Sequence, residues 1–270
     1  MTATEPLLIS SCMAPIADRF VRALAAYAGR QLGIATRFVD DIPWQQREQW
    51  LDEGRVQLCW LCGLPYVWKA GGGALQLLAA PVMQGARYAA RPVYFSDVVV
   101  RRDSPFRSFD ALRGASWAYN EPRSHSGHLI TRYNLALRGL NGDFFGRVLG
   151  AGSHQRALDM ILAGEIDAAA IDSTVLELAS QAQPEIGEQI RVLESWGPSP
   201  IPPWLVHRRA PAALRERLQR LLLAMHEDEE GRAVLQLARV ARFVAVEDKD
   251  YDPIRQMARR AEQVTLGETL

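Results

Sequence analysis

In the opening sixty residues the apolar positions alternate between short strand-like runs and a longer helical period, and that alternation restricts the fold more than any other feature. PLLISS reads as a strand. In APIADRFVRALAAYAGRQLG, Ile16, Phe20, Leu24 and Tyr27 recur at intervals of three or four, which is one face of a helix. Gly33 closes that helix, ATRFVD forms a second strand, and PWQQREQWLDEG a second helix, with Pro43 suited to its first turn and Gly54 to its stop. RVQLCWLCG is a third strand that breaks at Gly63. Strand–helix units in series imply a mostly parallel sheet flanked by helices, because parallel neighbours need a crossover long enough to hold a helix.

The pattern restarts downstream. PVYFSDVVVRRDSPF alternates around Val98 and Val100 and turns at Asp103-Ser104-Pro105. ASWAYNE is a strand, SGHLITRYNLALRGL a helix, and HQRALDMILAGEIDAAAID a helix–glycine–strand unit. Pro198, Pro200, Pro202 and Pro203 favour a stiff, extended crossing over a helix. LRERLQRLLLAMHEDEEGRAVLQLARV and DYDPIRQMARRAEQ close the chain with helices. The organisation expected is α/β with two lobes and two extended crossovers, near residues 91–102 and 194–206. Residues 1–94 open lobe I, 95–200 form lobe II, and 201–270 return to lobe I. The 270 residues suffice for two lobes of ordinary size.

Charge and cysteine content remove several classes of function. Lys plus Arg and Asp plus Glu stand at 31 each, so there is no basic excess of the kind a nucleic-acid surface carries. No apolar run approaches the ~18 residues of a membrane span. MTATEPLLISSCMAP has no basic n-region. As it stands the sequence reads as cytoplasmic, or as periplasmic if an export segment has been removed. Three cysteines, Cys12, Cys59 and Cys62, are too few for a disulfide framework.

The chemistry gathers in NEPRSHSGHLI, residues 120–130, between a strand and a helix. A helix start exposes unpaired backbone N–H groups and partial positive charge, so it can hold an anion. Ser124 and Ser126 add hydroxyls, His125 a backbone N–H, and Gly127 lets the backbone approach closely. An ordinary N-cap accounts for the same residues equally well. A nucleophile elbow would need glycine at 124, where Ser124 stands. Metal binding by His125 and His128 lacks carboxylates or cysteines at ligand spacing. Cys59 and Cys62 have CxxC spacing, but the motif begins inside a strand rather than at a helix N-terminus, which favours buried structural thiols.

The run DVVVRRDSPFRSFDALRGASWAYNEPRSHSG, then GSH and ALDMILAGEIDAAAIDS, resembles the phosphate/phosphite/phosphonate-binding proteins of ABC transporters, the PhnD-like members of the type II periplasmic binding protein superfamily. GRVQLCWLCGLPYVWKAG and AVEDKDYDPIRQM extend the likeness over most of the chain. The resemblance implies a two-lobed type II fold, whose cleft closes over a small tetrahedral oxyanion, and a protein that is not an enzyme and carries no cofactor or metal. The family's Ser-Thr-Ser-Gly turn is matched by Ser124-His125-Ser126-Gly127, the histidine of its Ser-His pair by His154, and two of its aromatic positions by Trp44 and Tyr94. Its acidic positions, which pair a ligand ammonium, fall on Thr174 and on SPIPPW, leaving Asp172 as a partial replacement. A buried ammonium without a carboxylate is strongly disfavoured, so aminoethylphosphonate fits poorly. Trp196 and Trp204 suit a less charged ligand group if they face the cleft, and packing otherwise. The implied partners are the oxyanion and either an ABC transporter permease or a regulatory protein that reads closure, with no nucleic acid and no direct membrane span. Two alternatives stay open: a thiol-based redox or metal-binding protein using Cys12, Cys59 and Cys62, and a binder of an organic heterocycle on the same fold.

Overall fold

The computed structural model describes residues 5–267. The chain is written in four legs. The first holds β1 (Leu7–Ser11), α1 (Asp18–Leu32), β2 (Thr36–Val39), α2 (Trp44–Asp52), β3 (Leu58–Trp60), α3 (Gly63–Lys69) and β4 (Leu75–Met83). The second holds β5 (Val93–Arg101), β6 (Ser116–Tyr119), a π-turn (His125–Leu129) running into α4 (Ile130–Leu137), β7 (Arg147–Gly150), α5 (His154–Ala163), β8 (Ala168–Asp172), α6 (Ser173–Ala182), α7 (Glu185–Gln189) and β9 (Ile190–Pro200). The third holds β10 (Trp204–His207), α8 (Ala212–Ala224), α9 (Glu229–Gln236) and β11 (Val240–Val244), and the fourth α10 (Asp252–Arg260).

These legs make two compact units. The chain up to Val93 joins Pro200–Tyr251 in one, and Tyr94–Ser199 joins the chain from Asp252 onward in the other. The tail therefore differs from the expected return of 201–270 to lobe I. The reason lies in its contacts: α10 packs on α4 and the π-turn, and Arg132 donates from Nη2 to Ala261 O at 2.8 Å and from Nε to Val264 O at 2.5 Å. The chain thus passes between units three times, and the two expected crossovers are themselves strands, β5 and β9, of the second sheet.

The first unit has a six-stranded sheet in the order β11-β4-β10-β3-β1-β2. β1 runs parallel to β2 and β3, with Ile9 opposite Phe38 and Leu58. β10 is antiparallel to β3 and β4, and β11 to β4. The second unit orders its five strands β7-β6-β8-β5-β9, with β6 parallel to β7 and β8, and β5 antiparallel to β8. The expectation of mostly parallel sheets is corrected to mixed ones. Parallel pairing holds where a helix provides the crossover, while strands that enter a unit from the other one are not bound by that rule.

α1 shows how sequence sets element and packing together. Its apolar face, Phe20, Leu24, Tyr27 and Ala28, is buried, and Gly33 ends it at φ 64°, a left-handed conformation that costs glycine little. Phe20 stands edge-on to Trp60 at 5.7 Å, and Trp60 stacks on Trp204 at 5.9 Å with 9° between planes. In the second unit Trp117 stacks on Phe145 at 4.6 Å, and Phe109 meets Trp196 edge-on at 5.2 Å. Trp196 and Trp204 are thus core residues of their units. Among the described residues no helix is long and apolar enough to cross a membrane.

Candidate functional site

β6 is flanked by parallel neighbours on both sides, so its C-terminal end is held firmly where Asn120 leads toward the π-turn. Ser124 caps that turn with extended backbone, φ −74° and ψ 135°, and its Oγ accepts from Gly127 N at 3.1 Å. The structure shows the capping reading of Ser124, and a cap of this kind uses the hydroxyl oxygen as acceptor and leaves its proton available to donate. The amides of His125 and Ser126, at the very start, have no preceding helical carbonyl to bond.

The first bonds are wider than those of an α-helix: Leu129 N donates to Ser124 O at 3.0 Å and Ile130 N to His125 O. Side chains add bonds to nearby carbonyls. Thr131 Oγ1 donates to Gly127 O at 2.9 Å and Asn134 Nδ2 to Ile130 O at 2.9 Å. Such π-turns are often found at functional sites.

His154 arrives from another element. It is the first residue of α5, behind a Ser153 cap whose Oγ accepts from Arg156 N at 3.0 Å. Its Nε2 lies 2.9 Å from Ser126 Oγ. Gly127 sits beneath both. A Cβ there would come within 2.0 Å of Asn120 Oδ1 and 3.2 Å of His154 Cε1, so the contact admits only glycine. Ser126, His154, Gly127 and Asn120 consequently form one corner, to which Ser124 is joined by the cap.

The corner is polar, buried and without a cationic side chain of its own. Burial pushes the imidazole of His154 down to about 3 and that of His125 down to about 4, so both are neutral near pH 7. Among the described residues, His125 Nδ1 and Nε2, His154 Nδ1 and Asn120 Oδ1 are buried without hydrogen-bond partners. Buried polar atoms are nearly always satisfied, and a group left open in a native fold calls for an explanation.

The remaining expected residues fall into three places. Tyr94 is buried at the start of β5, with its ring centroid 6.0 Å from that of His125. Asp172 and Thr174 are together but occupied with each other: Asp172 caps α6, and its Oδ1 accepts from Thr174 N at 2.8 Å and Thr174 Oγ1 at 2.7 Å. Burial pushes the Asp172 carboxyl up to about 6 against those two hydrogen bonds. Trp44 belongs to the first unit, half-buried at the first position of α2. Asn120 escaped the sequence reading of the site. Its signal was position, a carboxamide at the exit of a central strand immediately before the turn.

The thiols are arranged unlike a redox site. Neighbouring strands bring Cys12 Sγ within 4.0 Å of Cys59 Sγ, while Cys62 stands apart as the N-cap of α3. β3 ends at Trp60, so Cys62 is outside the strand expected to contain it. Contact with Cys59 and burial push the Cys12 thiol well up, the opposite of what a reactive thiolate needs. None of the three is in a disulfide.

Comparison with known proteins settles the family. The model described as "ABC transporter, phosphonate, periplasmic substrate-binding protein" matches residues 15–251. The chain belongs to this family. A binding-protein component of an ABC phosphonate transporter from Pseudomonas aeruginosa is 17% identical, with a TM-score of 0.84 over 96% of this chain and 87% of that one. PhnD1 from Prochlorococcus marinus, solved in complex with methylphosphonate, is 17% identical with a TM-score of 0.83, covering 96% and 98% of the two chains. The periplasmic aliphatic sulphonate binding protein of Escherichia coli is 16% identical with a TM-score of 0.62, covering 96% and 86%. At these identities the solved structures establish the fold, a two-sheet α/β architecture of the periplasmic-binding type. The family is one of solute-binding proteins, and the comparisons lend the thiol reading no support.

Proposed function

We propose that this member of the phosphonate-binding family is the substrate-binding component of an uptake system for a small phosphonate, phosphite or phosphate, and that the Ser124–Gly127 corner grips its oxygens. The observation that carries the reading is the Ser126–His154 pair at 2.9 Å, set at the start of a helical turn and accompanied by buried polar side-chain atoms that have no partner among the described residues. Hydroxyl, imidazole and backbone N–H donors converge there, and an oxyanion accepts from all of them. Tyr94, next to His125, and Trp44, assigned through the resemblance, are ligand contacts in this reading. Asp172 and Thr174 serve mainly as the α6 cap. The family's description, a periplasmic substrate-binding protein of an ABC transporter, supports the location and partner we assign, the periplasm and a transporter permease.

A Ser–His pair also invites comparison with a hydrolase. In a hydrolase a carboxylate orients the second imidazole nitrogen, whereas His154 Nδ1 is unpartnered among the described residues. With its pKa near 3, His154 is a poor general base at neutral pH. Binding therefore accounts for the pair better than turnover.

A thermal-unfolding panel of methylphosphonate, phosphite, phosphate, aminoethylphosphonate and methanesulfonate tests the reading. A ligand at a hundred times its Kd stabilises the folded chain by ~2.7 kcal/mol. Ser126→Ala, which removes one hydrogen bond to a charged group worth about 1.5–3 kcal/mol, should weaken binding roughly ten- to hundredfold. A folded wild-type chain whose unfolding none of these anions shifts would refute the assignment.

A further inference from the structure

The corner carries acceptors as well as donors, and the acceptors bear on which oxyanion it takes. Asn120 Oδ1 is buried and unpartnered among the described residues, and lies against the turn, 2.0 Å from where a Gly127 Cβ would stand. His125, on the turn itself, is fully buried with neither ring nitrogen bonded. A neutral imidazole has one N–H and one bare nitrogen in either tautomer, and burial keeps this ring neutral. A fully ionised oxyanion offers only lone pairs. It would satisfy Ser126 and the amides but would leave Asn120 Oδ1 and the bare nitrogen without a donor. An oxyanion that retains one O–H supplies the missing donor.

We propose that Asn120 Oδ1 and the bare nitrogen of His125 accept from an O–H on the ligand, so that the site selects a singly protonated phosphonate or phosphite over a fully ionised sulfonate. The inference rests on the oxyanion reading above and narrows its substrate class. Near neutral pH the His125 ring thus holds a permanent acceptor on the turn itself. A phosphonate oxygen has its second ionisation in the neutral range, so both forms are present in water. A sulfonate keeps no proton there.

Neighbouring ionisable groups set the controls. Of those on elements packed against the π-turn, Asp172 of β8 titrates near 6. Arg132 of α4 is engaged with the carbonyls of Ala261 and Val264, and Asp252 and Arg255 of α10 pair at 2.8 Å. His128, on the turn, is held near 4 by burial and by the charge of Arg132, and Tyr94 of β5 packs beside His125. Asp172 is thus the protein group whose ionisation could imitate that of the ligand.

Calorimetric titration of the full chain with methylphosphonate, phosphite and methanesulfonate, across the second ionisations of the two phosphorus acids, tests the proposal. Affinity for methylphosphonate should fall about tenfold per pH unit above its own second ionisation. The midpoint should move down for the more acidic phosphite and stay in place in Asp172→Asn. Methanesulfonate should bind at least about tenfold more weakly, and His125→Phe or Asn120→Leu should narrow that gap. The wild-type pH profile carries the test even if neither variant folds. Phosphonate affinity that is flat or rises with pH, a midpoint indifferent to ligand acidity, or equal sulfonate affinity would overturn the inference. If Ser126→Ala still weakened all the ligands in that case, the oxyanion reading would stand without it. Failure of every anion to bind the wild type would remove both.

Discussion

At the scale of single residues, the corner depends on groups that burial keeps uncharged. His125 and His154 have folded pKa values near 4 and 3, below the ordinary value of 6.5. As pH falls below about 6.5 the unfolded chain gains protons that the folded chain refuses, so each ring removes ~1.4 kcal/mol of stability per pH unit until its folded value is reached. Asp172 has the opposite sign. Raised from 3.8 to about 6, it holds a proton in the folded chain that the unfolded chain has lost, and stability declines as pH rises through that window. Urea midpoints should therefore fall between pH 6.5 and 4.5 in the wild type, less steeply in His154→Asn, and more steeply in Asp172→Asn. Equal slopes in all three would show that the rings charge in place. Gly127→Ala sets a Cβ against Asn120 Oδ1 and should cost about 1–3 kcal/mol by overpacking. Asn120→Ala should recover much of that loss, and a double-mutant cycle in which the two losses simply add would contradict the contact.

At the scale of elements, the π-turn and the start of α4 are braced by side-chain hydrogen bonds to the carbonyls of Gly127 and Ile130. Thr131→Val keeps the shape but removes the buried hydrogen bond that Thr131 Oγ1 donates to Gly127 O. We expect a loss of about 1–3 kcal/mol and weaker anion binding, measured by denaturation and calorimetry. Unchanged ligand affinity would mean that the turn's geometry does not govern the site. Most elements were legible in the chain. α1 announces itself by periodicity and Gly33, and the SHSG turn by a serine cap before a helix. Others were not. β4, LQLLAAPVM, is apolar on nearly every residue and so lacks the alternation of a half-covered strand, and β7 has only four residues, RVLG. Alternation also extended β3 through Cys62, but the chain turns into α3 after Trp60. The site was legible where one local segment makes it. Asn120 was missed and His154 was reached only through the family resemblance, because sheet order brings them together and pattern along the chain does not encode it.

At the scale of the molecule, the departure that matters is the fate of the tail. Residues from Asp252 onward belong with Tyr94–Ser199, although sequence order suggested that they stay with the segment just before them. Their amphipathic pattern was visible, but the unit that receives their apolar face was not, because contact between α10 and α4 is remote in sequence. Ending the chain after Tyr251 should uncover α4 and deprive Arg132 of the Ala261 and Val264 carbonyls. Hydrogen exchange should then accelerate across the π-turn and α4 while α1 and β1–β3 keep their protection. Uniform loss of protection would show that the two units unfold as one.

This interleaving also bears on biosynthesis. Ribosomes deliver the chain from its N-terminus, and domains ordinarily fold as they emerge. Here neither unit is a contiguous stretch: one waits for Pro200–Tyr251 and the other for everything beyond Asp252. α10, the last helix among the described residues, covers the flank of the very turn to which we assign the anion. A nascent polypeptide thus completes the flank of its grip only after α10 has left the exit tunnel, long after the turn itself was made.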